Sequence, residues 1–206
     1  MADATSLKCP SCGGPLPIEH RFVRMVACAY CGTTSEITDE GLNPTGKFAK
    51  LVPLPTRFQV GLAGKLRGRP FQVLGRVRYQ YDEGIWDEWY LAFDDGQPAW
   101  LEEDEGELIL SQVERLRDPV PPFEQARVGA QFPVNGVAFF VTERCRAKVA
   151  GAEGQLFFRA IPGKPVNFLD GNIGGRVAFL EYTDDGIEFG VGDPVARHEI
   201  ELEGGR

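Results

Sequence analysis

The sequence predicts a mainly β fold: a small four-cysteine ribbon at the N-terminus, followed by two related small antiparallel β-barrel or sandwich domains. Three observations predict it. Cys9, Cys12, Cys28 and Cys31 form two C-x-x-C pairs with fifteen residues between them. Short runs of alternating β-formers are separated by acidic turns that end in glycine. Two stretches of the chain also repeat each other at a nearly constant offset.

The ribbon comes first. A structural zinc ion takes four soft ligands in a tetrahedron, and thiolates at about 2.3 Å supply them. Each C-x-x-C offers two corners from one tight turn. Gly13 and Gly32, which follow the second cysteine of each pair, suit that turn because glycine accepts a positive φ. Pro10 fixes φ inside the first turn. Leu16, Ile18, Phe22 and Val23 give the intervening residues one apolar side, enough for a short hairpin. Two disulfides or a redox dithiol compete with the metal. Met1 to Lys8 has no apolar core of a signal segment. The expected setting is therefore cytoplasmic, where paired C-x-x-C motifs favour metal. A thioredoxin-like motif needs one C-x-x-C in a βαβ setting, and none is apparent. The expected cofactor is one structural zinc ion on Cys9, Cys12, Cys28 and Cys31. Four cysteines leave no open position for catalysis.

Composition narrows the function. Of the 206 residues 43% are hydrophobic, enough to build cores. No apolar run approaches the roughly 20 residues that span a bilayer. The net charge of -8 argues against binding nucleic acid, which requires neutralising phosphates. Lys8, Arg21 and Arg24 are basic residues of the ribbon, but no Lys/Arg stripe extends them. His20 and His198 read as surface residues. Cys145 lies between Arg144 and Arg146, which could lower a thiol pKa. An incidental thiol on a strand is the simpler account.

The expected division is 1–38 for the ribbon, 39–55 for a turn-rich linker, 56–118 for the first β-domain and 119–206 for the second. Val60-Gly61 and Phe71-Gln72-Val73 recur 68 residues later as Val128-Gly129 and Phe139-Phe140-Val141. Trp100-Leu101-Glu102 recurs 79 residues later as Phe179-Leu180-Glu181, so the second copy holds about eleven extra residues. The glycine- and proline-rich stretch from Ile161 to Gly175 is the expected place for them. In the first copy, Phe71–Tyr81, Trp86–Phe93, Pro98–Leu101 and Glu107–Leu110 read as strands. In the second, Val137–Thr142, Gln155–Ile161, Arg176–Tyr182 and Ile187–Val191 do. Asp94-Asp95-Gly96, Asp104-Glu105-Gly106 and Asp184-Asp185-Gly186 read as turns. Leu108 to Leu116 is the best candidate for a short helix.

Gly61, then Phe71-Gln72-Val73-Leu74-Gly75, then Trp86-Asp87-Glu88-Trp89-Tyr90-Leu91, Asp95-Gly96 and Trp100-Leu101 resemble the bacterial domain-of-unknown-function family 4178. The resemblance covers roughly Leu51 to Val195, plus the ribbon. It implies tandem copies of the domain behind a cysteine-rich ribbon, and genomic company with membrane-stress proteins. It specifies no reaction.

Catalysis has little support. No phosphate loop appears, and neither histidine has a nucleophile placed beside it. The run Glu102, Glu103, Asp104, Glu105 and Glu107 reads as a solvated hairpin tip, with a divalent-ion site or acidic docking face as the sharper reading. Glu88, beside two tryptophans, is a candidate buried acid or, more simply, a rim residue. Trp86, Trp89, Tyr90 and Trp100 are the candidate partner-binding residues, because Trp86 and Trp89 cannot share one face of a regular strand. The expected function is a non-catalytic adaptor with a protein partner, in a membrane-stress pathway. The alternatives are a small-ligand-binding protein or hydrolytic enzyme with a cleft between the copies, and a nucleic-acid-binding ribbon.

Overall fold

Strands form where aromatic and β-branched residues alternate, and turns form where glycine, or at three positions Arg67, Glu105 and Asn135, takes a positive φ. The computed structural model describes residues 5–203 apart from Arg21 and Ala49. In chain order the strands are β1 (Thr5–Lys8), β2 (Pro15–Ile18), β3 (Met25–Ala27), β4 (Thr33–Thr38), β5 (Gly41–Lys47), β6 (Ala63–Leu66), β7 (Arg69–Gln80) and β8 (Ile85–Phe93). They continue as β9 (Pro98–Asp104), β10 (Glu107–Glu114), β11 (Gln131–Val134), β12 (Val137–Leu156), β13 (Pro165–Ile173), β14 (Arg176–Thr183), β15 (Gly186–Pro194) and β16 (Ile200–Leu202). The one helical element among these residues is a 3-10 turn, Arg197–Glu199. The protein is mainly β, as its sequence predicts.

β1 and β2 form a hairpin of their own. All other strands join one antiparallel sheet. Within it eight strands close into a ring in the order β7-β8-β9-β10-β15-β14-β13-β12, and β12 pairs back onto β7. Strands β6 to β10 form one unit and β11 to β15 a second, and the two are joined at two seams, β10 to β15 and β12 to β7.

The sequence repeat reappears as repeated geometry. β6 to β10 pair in the same order as β11 to β15. Gly61 and Gly129 have φ of 87° and 83°. Their N–H groups donate to the carbonyls of Val73 and Val141 at 2.8 and 2.9 Å. Val73 and Val141 donate back to Leu62 and Ala130 at 2.8 and 3.0 Å. Register then breaks on both strands, between Val73 and Gly75 and between Val141 and Glu143. Each break moves the side chains to the other face. Before it, Phe71 and Val73, and likewise Phe139 and Val141, fill their own unit's core. After it, Val77 and Tyr79, and Cys145 and Ala147, fill a third core inside the ring.

Two local readings are corrected. Leu108 to Leu116 is not helical: Glu107–Glu114 is β10, held by β9 on one side and β15 on the other. Its alternation wins because Leu108 packs in the first unit's core while Ser111 faces the ring interior. The extra residues of the second unit also lie elsewhere. Pro165–Ile173 is β13, the counterpart of β8, and the segment read as the strand Gln155–Ile161 is the end of β12 and a loop. The added length falls between Val149 and Lys164. That segment pairs with β7 and then with β3, so the insertion closes the ring and holds the ribbon.

The expected linker, 39–55, contains β5, which pairs with β4, and Phe48, which enters the ring core beside Met25. Arg78 Nη1 donates to the Val52 carbonyl at 2.7 Å. The residues between the cysteine pairs do not form the expected hairpin. β2 pairs back onto β1, while β3 pairs forward onto β4 and across onto β12. Leu16 instead packs with Cys9, Val26 and Cys28.

Candidate metal centre and ligand chamber

Two matching knuckles present the cysteines. Gly13 and Gly32 both have φ of 74°. Their N–H groups donate to the carbonyls of Cys9 and Cys28 at 2.8 and 2.9 Å. Cys9 and Cys28 in turn donate to the carbonyls of Gly14 and Thr33 at 2.8 and 2.9 Å. The four Sγ atoms lie within 4.8 Å of one another. Cys9 and Cys31 are 3.7 Å apart, as are Cys12 and Cys28. A tetrahedron with metal–sulfur bonds of about 2.3 Å has sulfur–sulfur edges of about 3.8 Å, whereas a disulfide needs about 2.05 Å. The donor set therefore fits a metal ion. Among the described residues this is the one group of three or more such side chains close enough to share an ion. Of the three basic ribbon residues, Lys8 and Arg24 are exposed and Arg21 lies outside the described residues.

The aromatic residues expected to form a docking patch do not face outward. Trp89 is 1% exposed and packs in the first unit's core, where its Nε1 donates to Glu103 Oε2 at 2.9 Å. Tyr90 and Trp100 are buried in the ring core, and Trp86 lines the ring interior beside Tyr79 and Phe168. Trp86 and Trp89 do take opposite faces of β8, but both faces are covered. The ring encloses one and the first unit's own core covers the other.

Beside the ring core lies a cleft of about 500 Å³, open to solvent past Glu105, Glu107, Thr142, Glu143 and Asn172. Both units line it. The first contributes Trp86 and Glu88 from β8, Trp100, Glu102 and Asp104 from β9, and Ser111 from β10. The second contributes Cys145 from β12, Phe168 and Asp170 from β13, and Phe179 and Glu181 from β14. Strand alternation splits the acidic run read as one hairpin tip. Glu102 and Asp104 point into the chamber, whereas Glu103 points away to hold Trp89 and the Thr56 hydroxyl. Glu105 and Glu107 belong to an exposed tip that borders the same space.

Burial shapes the chamber's acids. It raises Glu102 to about 7, with Asp104 and Glu143 adding repulsion. It raises Glu181 to about 8, with Glu188 adding repulsion and Lys164 opposing it. Glu88 and Asp170 are pushed well above the ordinary carboxylate range, again chiefly by burial. Glu88 is thus a half-buried acid in the chamber wall, between the two readings. Its Oε1 accepts from Trp86 Nε1 at 3.1 Å. Cys145 is buried, and burial followed by nearby acids raises its thiol to about 11. Arg144 and Arg146 do not activate it, because alternation sends them to the opposite face, over the Phe123 ring and onto Glu124.

The sequence carried one signal for this chamber. Trp100-Leu101-Glu102 and Phe179-Leu180-Glu181 repeat, and each central leucine is a core residue. The flanking aromatic and acid must then share the other face. What the repeat does not reveal is that the two opposite faces meet across a closed ring.

No curated protein and no solved structure matches this chain. A family described as "Domain of unknown function (DUF4178)" matches residues 59–197, from just before Gly61 to the first residue of the 3-10 turn that follows β15. That span covers both units in a single match and leaves the ribbon outside it. The chain belongs to this family.

Proposed function

We propose that the protein is a non-catalytic binding protein whose two repeated units enclose a chamber for a small ligand. One observation carries this reading. The cleft of about 500 Å³ is lined from both units and receives Glu181 and Ser111, which are 8% and 4% exposed. Neither side chain has a protein hydrogen-bond partner among the described residues, and both open onto the cleft rather than being sealed from water. A ligand entering the cleft takes the place of water at both groups. Glu102 and Glu181, raised to about 7 and 8, also have the pKa of general acids, so a hydrolytic enzyme using the same chamber is the second reading. Trp86 and Trp100 line the chamber, so their fluorescence reports on it. A small-molecule library titrated against that signal tests the reading. Saturable responders that are lost in a Val177→Phe variant, which fills the chamber, support it. Responders that ignore Val177→Phe, or none at all, remove it.

The ribbon's ion in this reading is zinc, one per chain, with a structural role. The two units are copies of one ancestral domain. Their matched glycine turns and register breaks support this, although the family match is single. The adaptor reading keeps one supporting feature, an apolar groove of about 740 Å³ beside the second knuckle. Leu51, Val60 and Val73 line it with Tyr30, which is 71% exposed. A protein partner, including one from a membrane-stress pathway, would dock there rather than on the tryptophans. Capture of a partner by wild type but not by Tyr30→Asp would favour it.

A further inference from the structure

The chamber's lining carries charge of one sign. Acids reach it from β8, β9, the β9–β10 turn, β10, β12, β13 and β14, and it contains no lysine, arginine or histidine among the described residues. Of the bases around it, Lys164 is turned to Asp185 at 3.1 Å, and the Arg197 guanidinium lies at the Gly106 turn between Glu105 and Glu107. Stability alone disfavours this arrangement. Glu88 lies directly opposite Glu102 across β8 and β9, and Glu181 lies directly opposite Glu188 across β14 and β15. Like charges in such pairs repel. Glu181, 8% exposed and lacking a hydrogen-bond partner among the described residues, is aimed into the space. A partner of positive charge satisfies it. A bare metal ion does not match the geometry: outside the cysteines, no three acidic or histidine side chains of the described residues come close enough together to share an ion. The carboxylates are spread around a wall that also holds Trp86, Trp100, Phe168 and Phe179. Spaced acids and aromatic rings together recognise ammonium groups on a carbon frame, through charge-assisted hydrogen bonds and cation–π contact.

Resting on the reading of the chamber as a ligand site, we infer that its ligand is an organic ammonium ion, held between Glu102 and Glu181 against Trp86 and Trp100.

The test uses the full-length, metal-loaded protein and follows tryptophan fluorescence and calorimetric binding. The probes are 1,5-diaminopentane and benzylamine. Their controls are 1,5-pentanediol, benzyl alcohol, glutarate and magnesium chloride. The inference expects saturable binding of the two amines only, weakened at least tenfold in a Glu102→Gln, Glu181→Gln variant. That variant should melt no lower than wild type at pH 8, because it loses repulsion, so its weaker binding cannot be laid to misfolding. Equal amine binding by wild type and variant overturns the inference, as does displacement of the amines by millimolar magnesium. If only the neutral or anionic controls bind, and Val177→Phe blocks them, the charge assignment falls and the chamber reading stands. If no probe responds to Val177→Phe, both fall.

Discussion

Asp87 holds two arginines at once. Its Oδ2 accepts from Arg76 Nη2 at 2.6 Å and from Arg78 Nη2 at 2.8 Å, and its Oδ1 accepts from Arg78 Nε at 2.8 Å. All three residues are buried. Burial is also the largest influence on Asp87, raising its pKa despite the Arg78 pairing. The cluster fixes more than itself. Arg78 holds the Val52 carbonyl, and Arg76 lies over Trp89 with its guanidinium carbon 4.8 Å from the ring centroid. Removing the carboxylate leaves two buried cations with only Glu153 within reach of Arg76. Asp87→Ala is therefore expected to cost about 3–5 kcal/mol, read from the shift of a urea unfolding midpoint. A loss below about 1 kcal/mol would show that water reaches the guanidinium groups. At the ribbon, Cys12 is exposed while Cys9 and Cys28 are buried. Exposure does not make Cys12 dispensable, because a tetrahedral ion loses a corner without it. Cys12→Ser is expected to lower bound zinc from one per chain, measured by elemental analysis after dialysis against a weak chelator. Undiminished zinc in that variant would place the ion elsewhere.

The seam between β7 and β12 is decided by two glycines. Gly75 and Gly154 face each other across it. A Cβ on Gly75 would collide with the Gln155 carbonyl oxygen, and one on Gly154 with the Leu74 carbonyl oxygen. Gly154 also holds φ at 73°, where a branched side chain is strained. Gly154→Val is expected to destabilise the protein by about 3 kcal/mol or more. It should also speed hydrogen exchange at β3, because Gly154 to Leu156 carry the ribbon's only ladder onto the ring among the described residues. Unchanged exchange at β3 would show that the ribbon is held by its side chains alone. At this scale the sequence was legible where contacts are local. The knuckles, the acidic turns and the alternation of β7, β8 and β9 follow from neighbouring residues. It misled where a strand's partners are remote. β10 looked helical because both its neighbours in the sheet had to be known before its alternation could outweigh spacing. β13 was hidden because Pro165, Gly171 and Asn172 look like a loop until Val166, Phe168, Leu169 and Ile173 find cores to enter. The chamber was half legible: the repeat places an aromatic and an acid on one face, but only ring closure turns two faces toward each other.

At the scale of the whole molecule, a closed ring with acids inside stores a dependence on pH. Glu102 and Glu181 titrate at about 7 and 8 in the folded protein, above the unfolded value of about 4.3. Glu88, Asp104, Glu105, Glu107, Glu143, Asp170 and Glu188 face the same space or border it, Lys164 opposes them at Glu181, and Arg197 lies at the Glu105–Glu107 turn. A raised carboxylate means that the native state keeps a proton the unfolded chain has released. Between about pH 4.5 and 8 the native state therefore binds more protons, and the free energy of unfolding falls as pH rises. The contribution is complete below the unfolded value and lost above the folded one. The lowered acids act in the opposite sense. Glu199, held down at about 2 by Arg67, and Asp95, Glu124 and Asp193, held down by hydrogen bonds and nearby arginines, stabilise at neutral pH and lose that effect in acid. These two trends place maximum stability near pH 5, with a decline toward pH 8 of up to about 1.4 kcal/mol per pH unit for each titrating group. Melting temperatures of wild type and of the Glu102→Gln, Glu181→Gln variant from pH 5 to 9 would test this. The wild type should lose stability across that range and the variant should lose distinctly less. Parallel curves would mean that water enters the ring freely enough to solvate both carboxylates. The same curves repeated with 1,5-diaminopentane connect stability to ligand. A bound ammonium ion supplies the charge the ring lacks, so it should restore most of the wild-type loss at pH 8 and little at pH 5, where the acids hold their own protons.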